Sequence, residues 1–549
     1  MPYSYHLITT SAMVKARVTD SIRAFVPRNG ATALLGDRHY FSALITGGNP
    51  RRSDRLDIRV DSPFANGVKV YTVEQIPVRM PCYAGESDDD YIDIKPGLYP
   101  DLLQPTEGIC IMPHLLSQLY FEVNVPLDMK PGTYEIKISL YHRAKQYDVA
   151  TAVYTVEVLN ARLPEQTFLS GHWFHYDCLA THYGVEVFSK RHWEIIESYL
   201  AAYVDRGNVT LLTPIFTPPL DTEVGGERPT VQLVDVTLEN GAYSFGFEKL
   251  ARFCEMCKKY GVKELEISHL FTQWGAFHAP KVMATVDGEY KRIFGWDTEA
   301  TGEEYVTFLR TLLPILREQL DAFGYKDHYY FHISDEPNGE KHMDSYLGAK
   351  NAVFDLICDR PVRDALSDFA LYQNGAVVNP VPSNNHITPF LEANIPDLWT
   401  YYCCSQGRKV SNCFVAMTGH RTRVIGAQMY KADIKGFLHW GYNFYFNRFS
   451  IGSTNPYLSI EGDYFTPAGD TFMVYPGPDG TPIHSLHEVL FEQGLLDMRA
   501  MQAAEAKVGR ERVLSAIDAE CDLDFENYPK HEDYLLNLRD TLNRLAAQG

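Results

Sequence analysis

The chain has 549 residues, of which 45% are hydrophobic, so it can bury a large core and form two or three domains. Its formal net charge is -20 at pH 7, and no cluster of Lys and Arg interrupts this acidic balance. Because nucleic-acid binding depends on such clusters, no nucleic-acid partner is expected.

Targeting signals are also missing from the printed sequence. No run of 18 or more apolar residues occurs, so we expect no membrane span. Residues 1–18 lack the basic start, apolar middle and cleavage site of a secretory signal, which predicts a cytoplasmic protein and leaves a secreted native form open.

The first 160 residues alternate short β-branched and aromatic runs with turn signals such as Lys130-Pro131-Gly132. This rhythm is typical of antiparallel sheets, and it predicts an N-terminal β-sandwich region over residues 1–162. The clearest predicted strands are residues 56–60, 67–71, 119–125, 133–138 and 152–158.

From about residue 165, apolar runs alternate with helical segments, as in βα units. Strands are predicted at residues 169–176, 209–216, 265–271, 329–334, 377–382, 398–402, 423–427 and 436–440. Helices are predicted at residues 190–204, 247–260, 301–323 and 342–358. Eight strands with intervening helices predict a (β/α)₈ TIM-like barrel over residues 163–500. Helical patterns at 484–504 and 534–547 predict a helical C-terminal tail over 501–549.

The ten cysteines show no disulfide framework. Cys254-x-x-Cys257 lies in a predicted helix without a second pair, which favours structural thiols over a metal or redox site. Cys403 and Cys404 adjoin the predicted site, and free buried thiols are favoured there too.

The most informative segment is residues 329–338, YYFHISDEPN, an aromatic run that ends on two adjacent acids. A buried strand that stops here would bring Asp335 and Glu336 to the lip of a sheet, where barrel enzymes hold their catalytic residues. The dipeptide alone favours a helix start instead, with Asp335 as the cap and Glu336 and Pro337 in the first turn.

This segment resembles the catalytic strand of glycoside hydrolase family 123 and its wider relatives, in which an Asp-Glu pair cleaves terminal β-linked N-acetylgalactosamine with help from the sugar's acetamido group. Residues 171–177, 397–402, 436–442 and 475–477 are similar to the family in the same order. The resemblance covers most of residues 165–500. It implies a retaining exo-glycosidase that needs neither a cofactor nor a metal and acts on a glycan or glycoconjugate.

The resemblance also implies a role for each acid. Glu336 would protonate the leaving oxygen and later deprotonate water, while Asp335 would orient the amide N–H and stabilise the positive charge of an oxazolinium. This division requires a protonated Glu336 and a charged Asp335.

Further polar and aromatic residues gather where the predicted strands end. The predicted substrate-binding residues are His175, His269, Trp399, Tyr401, Tyr402, Trp440, Tyr442 and Asn443. A tyrosine would hold the acetamido oxygen and a tryptophan would form an apolar wall. Core packing is the alternative for each aromatic residue, and a structural role is the alternative for His269.

Other functions remain open beside this one. A β-glycosidase of the same clan could act on another sugar. A metal-dependent barrel hydrolase would draw on His172-x-x-His175-x-Asp177, but residues three apart on a strand face opposite sides. A non-catalytic carbohydrate-binding protein would lack one of the two acids, and both are present. A homo-oligomer is compatible with the sequence.

Overall fold

A computed structural model of the chain describes residues 4–64 and 67–548, so residues 1–3, 65, 66 and 549 of the predicted domains lie outside it. Its N-terminal part consists of strands β1 (Tyr5–Ser11), β2 (Gly30–Leu35), β3 (Arg38–Gly47), β4 (Asp54–Asp61), β5 (Val68–Val78), β6 (Gly97–Pro105), β7 (Gly108–Ile111), β8 (Ser117–Asn124), β9 (Gly132–His142) and β10 (Tyr147–Arg162).

These strands form two five-stranded sheets, with the orders β1-β3-β8-β5-β6 and β2-β10-β9-β4-β7. All pairs are antiparallel except β2 and β10. Alternate side chains of both sheets share one core, in which the ring of Phe41 stacks on Phe121 at 4.6 Å and on Tyr154 at 3.9 Å. The expected N-terminal β-rich region is therefore present.

The following strands are β11 (Leu169–His172), β12 (Thr210–Thr213), β13 (Asp235–Glu239), β14 (Ala242–Gly246), β15 (Glu264–Ile267), β16 (Val282–Val286), β17 (Glu289–Phe294), β18 (Tyr329–Tyr330), β19 (Arg363–Leu366), β20 (Asn379–Pro382), β21 (Trp399–Tyr401), β22 (Gly436–His439), β23 (Val474–Pro476) and β24 (Pro482–His484).

The helices are α1 (Tyr176–Tyr183), α2 (Lys190–Asp205), α3 (Glu248–Tyr260), α4 (Glu303–Leu320), α5 (Gly339–Ile357), α6 (Phe369–Gln373), α7 (Thr388–Glu392), α8 (Gly419–Arg423), α9 (Ile425–Lys431), α10 (Leu486–Val508), α11 (Arg510–Ile517) and α12 (Glu532–Ala546). The predicted helices between the barrel strands are all present, with ends shifted by a few residues. No helix within residues 4–64 and 67–548 is both long and apolar enough to cross a membrane.

Eight short parallel strands form the centre of the second region, in three separate ladders: β12-β15-β18, β19-β20 and β11-β22-β21. Single links connect the ladders: a bridge from Phe331 to Val362, a bridge from Ser383 to Tyr401, and a 2.9 Å bond from Val209 N to Ser170 O. Within the described residues the ladders do not merge into one closed sheet. The predicted barrel is thus confirmed only as a mixed α/β region.

One strand prediction was wrong and one strand was missed. Residues 423–427 are helical; they were predicted as a strand because a fully buried helix has the same continuous apolar sequence as a buried strand. Strand β19 was not predicted, since Arg363 and Asp364 give it a polar start. Both of these side chains are nevertheless buried.

The C-terminal helices pack on both other regions. Helix α12 lies against α10 and against β2 and β10 of the N-terminal sheets. Asn543 Nδ2 donates to Thr32 Oγ1 at 3.1 Å, and Arg539 pairs with Asp37 at 2.6 Å and with Asp497 at 2.8 Å. The division at residues 162 and 500 remains a prediction.

Candidate active site

The two acids lie beyond β18, where the chain runs beside the segment that follows β15. Phe271 N donates to Ile333 O at 3.1 Å, and Trp274 N donates to Asp335 O at 2.8 Å. Helix α5 begins only at Gly339, with Asn338 as its N-cap, so Asp335 does not cap it. The acids therefore stand on a loop at the carboxyl end of the strand.

Both acids open into one cavity of about 420 Å³. Its lining consists of Trp173, Leu220, Asp221, Gln273, Trp274, Asp335, Glu336, Ala365, Tyr401, Cys403, Cys404, Leu438, Trp440, Arg448, Phe449, Phe465 and Thr466. Four of these residues have left-handed backbone although none is glycine: Asp221 (φ 40°), Trp274 (φ 62°), Glu336 (φ 43°) and Phe449 (φ 60°). Such costly conformations concentrate at functional sites, where the surrounding structure enforces them.

A second chamber of about 550 Å³ adjoins this cavity. The two share Trp274, Glu336, Tyr401 and Cys403 in their walls. The second chamber has mostly polar walls, formed by Asn338, His342, Ser367, Asp368, His386, Ser405 and Gln406 among others. Glu336 thus stands between an aromatic chamber and a polar one.

Tyr401 is the tyrosine that contacts the acid pair. Its hydroxyl donates to Glu336 Oε1 at 2.6 Å. Tyr402 faces the opposite side of the strand, as alternation requires, and packs edge-on against Phe437 at 4.9 Å. Of the three tyrosines predicted for the site, only Tyr401 lines the described cavity.

The acids perturb each other's protonation. Burial and the adjacent Glu336 raise the pKa of Asp335 well above its ordinary range, and His332 opposes this rise. Burial also raises the pKa of Glu336, against the hydrogen bond from Tyr401, which lowers it. Each acid thus favours its neutral form more than a free carboxyl group does. The rise on Asp335 runs against the expectation that Asp335 keeps its charge.

A buried network of hydrogen bonds surrounds His332, three residues before Asp335. His332 lies between Glu266, 2.6 Å from its Nε2, and Asp364, 3.3 Å from its Nδ1. Trp173 Nε1 donates to the same Glu266 oxygen at 2.7 Å, and Tyr346 Oη donates to Asp364 at 2.5 Å. Although burial lowers the pKa of His332, the two carboxylates raise it to about 9, so the ring is an imidazolium at neutral pH.

The same network contains the group of His269, His332 and Asp364, whose ligand atoms lie within 4.8 Å of one another. The rings of His269 and His332 are stacked at 4.2 Å with an angle of 13°, so their nitrogen lone pairs run side by side and do not converge. Both nitrogens of His332 already face carboxylates. This arrangement does not fit a metal centre.

Trp440 forms another wall of the cavity and is fixed by a buried acid. Its Nε1 donates to Asp470 Oδ2 at 3.0 Å. Burial raises the pKa of Asp470 to about 8; the Trp440 bond opposes this rise and the charge of Glu336 adds to it. The ring orientation therefore depends on a side chain that titrates near neutrality.

The remaining predicted binding residues lie behind the cavity wall: His175, His269, Trp399, Tyr402, Tyr442 and Asn443. None of these six is part of the lining of the described cavity. Asn443 bonds both to the backbone N of His175, at 2.8 Å, and to its carbonyl, at 3.1 Å. His269 supports Trp173 edge-on at 5.3 Å. His175 Nε2 lies 2.8 Å from the carbonyl oxygen of Trp440, and none of the six residues is a wall residue itself.

The side chains of the His172-x-x-His175-x-Asp177 motif do not converge on one point: His172 contacts Asn208, whereas His175 and Asp177 both contact Arg228. His172 Nδ1 lies 3.1 Å from Asn208, whereas Asp177 forms a bidentate ion pair with Arg228 at 2.7 and 2.8 Å. Arg228 also donates to the carbonyl of Leu220 at 2.9 Å, which fixes the loop that carries Asp221. The motif thus shapes the wall of the cavity.

Sequence reasoning missed several wall residues, among them Trp173, Asp221, Trp274, Arg448 and Phe449. Trp173 lies within a segment similar to the family, so the resemblance could have indicated it. Asp221, Trp274 and Phe449 come from long loops without a strand-end pattern. Their left-handed backbone is visible only in the structure.

Comparisons with known proteins agree with this geometry. The family model of the glycoside hydrolase 123 catalytic domain matches residues 173–504. A family 123 glycoside hydrolase from Clostridium perfringens, described for the hydrolysis of glycolipid glycans, has a TM-score of 0.75 at 14% identity, over 99% of this chain and 98% of that chain.

Two other solved structures resemble the chain only weakly. A family 5 glycoside hydrolase from Bacteroides vulgatus has a TM-score of 0.32 at 9% identity, over 61% of this chain and 67% of that chain. A family 2 β-galacturonidase from Eisenbergiella tayi has a TM-score of 0.28 at 11% identity, over 84% of this chain and 72% of that chain. No curated protein matches the chain. Since the family model spans more than half of its residues, the chain belongs to glycoside hydrolase family 123 and is a glycoside hydrolase.

Proposed function

We propose that the enzyme is a retaining exo-glycosidase that releases terminal β-linked N-acetylgalactosamine, or a related 2-acetamido sugar, by substrate-assisted catalysis. One observation carries the proposal: adjacent acids with raised pKa values, Asp335 and Glu336, open into one aromatic cavity. The short parallel strands below them would act as a distorted barrel that presents both acids at its carboxyl end.

In this mechanism the acetamido oxygen attacks the anomeric carbon and the bond to the leaving oxygen breaks. Glu336 gives its proton to that oxygen, and Asp335 accepts a hydrogen bond from the amide N–H. Because burial raises the pKa of both acids, the bound amide and the developing positive charge must favour the Asp335 carboxylate and leave the proton on Glu336. Water then opens the oxazolinium, with Glu336 as the base.

The two chambers suggest where the parts of the substrate bind. The 420 Å³ cavity, walled by Trp173, Trp274 and Trp440, suits a sugar ring and its acetamido methyl group. The 550 Å³ chamber with polar walls suits the leaving group, because Glu336 faces both spaces. Terminal residues of a glycan or glycoconjugate are therefore the proposed substrates.

The proposal is tested with aryl β-glycosides that differ only at C2 and C4. Hydrolysis confined to 2-acetamido sugars would support substrate assistance, and the rate ratio between the two C4 epimers would separate galacto from gluco preference. Equal hydrolysis of 2-hydroxy sugars would instead favour the alternative, a β-glycosidase of the same clan that acts on another sugar.

The nucleophile has its own test. We expect a product with retained β configuration, and competitive inhibition by a thiazoline mimic of the bicyclic intermediate. Asp335→Asn should weaken both turnover and thiazoline binding, since the lost carboxylate stabilises the acetamido group. A covalent sugar trapped on Asp335, or an inverted product, would contradict the mechanism.

A further inference from the structure

Two adjacent thiols form part of the cavity wall. Cys403 and Cys404 come two and three residues after Tyr401, the last residue of β21, and both line the 420 Å³ cavity. Cys403 also lines the second chamber, as Glu336 and Tyr401 do. Both side chains are free thiols of intermediate exposure, so solutes in the cavity can reach them.

The turn that carries this pair is fixed by side chains. Gln406 Oε1 accepts from Cys403 N at 2.7 Å, and Asn412 Nδ2 donates to Cys403 O at 2.8 Å. Gln406 in turn donates to Asn385 at 3.0 Å. The backbone of the pair is therefore ordered before any ligand arrives, which lowers the entropic cost of binding.

We propose that Cys403 and Cys404 form a dithiol site for a thiophilic ion or a trivalent arsenical, and that its occupation obstructs the cavity that holds Asp335 and Glu336. Binding converts two S–H bonds into two bonds from sulfur to the bound element and releases both hydrogens. No oxidant or reductant is required.

Chelation fits adjacent cysteines better than a disulfide. A disulfide needs an S–S bond of about 2.05 Å and favours Cα atoms about 4.4–6.8 Å apart, whereas neighbouring residues have Cα atoms about 3.8 Å apart. A bound soft ion such as zinc lies about 2.3 Å from each sulfur, so the sulfurs can stay farther apart. The pair is therefore suited to share one ion or arsenic atom.

The binding test uses phenylarsine oxide and the full chain. Its arsenic takes both sulfurs, its oxygen leaves with two hydrogens as water, and its oxidation state is unchanged. Intact mass should show one phenylarsenic group bound at stoichiometric reagent. Cys403→Ser and Cys404→Ser should each weaken binding roughly 10²-fold or more, because the second bond is lost.

A matched control is the pair Cys254 and Cys257 on α3, which is fully buried. The double variant Cys254→Ser/Cys257→Ser should retain the adduct at the same reagent concentration. An adduct that survives both single substitutions at Cys403 and Cys404, or that disappears in the control variant, would overturn the assignment.

The obstruction rests on the proposed function, whereas the adduct does not. Hydrolysis of an aryl glycoside should fall in proportion to adduct formation and return with dithiothreitol, relative to each variant's own untreated rate. A full adduct with undiminished hydrolysis would overturn the obstruction. An untreated enzyme without hydrolysis would count against the proposed function, and the mass measurement would still decide the dithiol site.

Discussion

At the scale of single residues, Glu336 combines three features that a general acid needs. It opens to both chambers, burial raises its pKa, and the Tyr401 hydroxyl fixes one of its oxygens at 2.6 Å. A group with these properties can reach a glycosidic oxygen at the boundary between the chambers and deliver a proton to it.

Replacement of the acid tests this role directly. Glu336→Gln should lower turnover of substrates with poor leaving groups by roughly 10²–10⁴-fold, and that of activated aryl glycosides much less, because activated leaving groups need no proton. The measurement is kcat/KM across a series of leaving-group pKa values. A uniform loss along the series would indicate that Glu336 has a structural role.

Tyr401 should set the pH range of activity. Its hydrogen bond lowers the pKa of Glu336, so Tyr401→Phe should raise that pKa and move the alkaline limb of kcat/KM to higher pH. Tyr402→Phe removes the neighbouring hydroxyl, which lies behind the wall, and provides the matched control with an unchanged limb. A shift to lower pH in Tyr401→Phe would contradict the assignment.

At the scale of elements, the sequence predicted most of the central strands but not their ends. Residues 169–176 and 329–334 were predicted as strands from their apolar runs, yet β11 ends at His172 and β18 at Tyr330. Beyond those points the chain bends, so side-chain alternation no longer predicts which residues face the cavity. Asp335, Glu336, Tyr401 and Trp440 line it, whereas the other predicted aromatic residues pack behind it.

The helix pair α9 and α10 shows what a sequence pattern cannot reveal. A Cβ atom built on Gly426 would lie 1.9 Å from the carbonyl oxygen of Gly494, so the two helices cross in direct backbone contact. The apolar run around Gly426 had been interpreted as a strand. Its helical form depends on this contact with a segment about 70 residues away in sequence.

Gly426→Ala should therefore destabilise the protein by roughly 1–3 kcal/mol or more, because the added methyl group forces the helices apart. Gly348→Ala in α5 is the matched control: its nearest neighbour is Thr301 Cγ2 at 3.4 Å, and alanine favours the helix by about 0.5–1 kcal/mol. Urea unfolding should give a lower free energy of unfolding for Gly426→Ala and a higher one for Gly348→Ala. Equal changes would show that the close approach is unimportant.

At the scale of the whole molecule, a buried charge cluster joins the N-terminal sheets to the catalytic region. Arg206, after α2, donates to Glu122 of β8 at 2.9 Å and to Glu492 of α10 at 2.9 Å. Tyr40 of β3 also donates to Glu492, at 2.7 Å. Because these groups are almost fully buried, each depends on its partners for stability.

Arg206→Met should cost about 3–5 kcal/mol of unfolding free energy at pH 7, since it removes one of the two arginines, Arg206 and Arg38, that pair with both buried carboxylates. Burial raises the pKa of Glu122, but Arg206 and Arg38 outweigh it and hold this pKa below its ordinary value. The Glu122 contribution is therefore present above the unfolded pKa of about 4.3 and is lost as pH falls below it. The cost of the substitution should shrink in acid.

The cost is measured as the difference in unfolding free energy between the unsubstituted protein and Arg206→Met, at pH 7 and near pH 4. The matched control is Arg544→Met, which removes half-exposed pairs with Glu157 and Asp540 and should cost at most about 1 kcal/mol. A cost for Arg206→Met that is the same at both pH values would mean that packing, and not charge, dominates at this interface.

The contact between α12 and the N-terminal sheets has a consequence for biosynthesis. Asn543 bonds to Thr32, which the ribosome adds 511 residues earlier. At a synthesis rate of about 5–20 residues per second, about half a minute to two minutes pass between the synthesis of β2 and that of the helix that covers it. During that interval the nascent chain carries the parts of β2 and β10 that α12 contacts in the folded protein, without that helix. Chaperone binding to the nascent chain should therefore persist until translation passes α12.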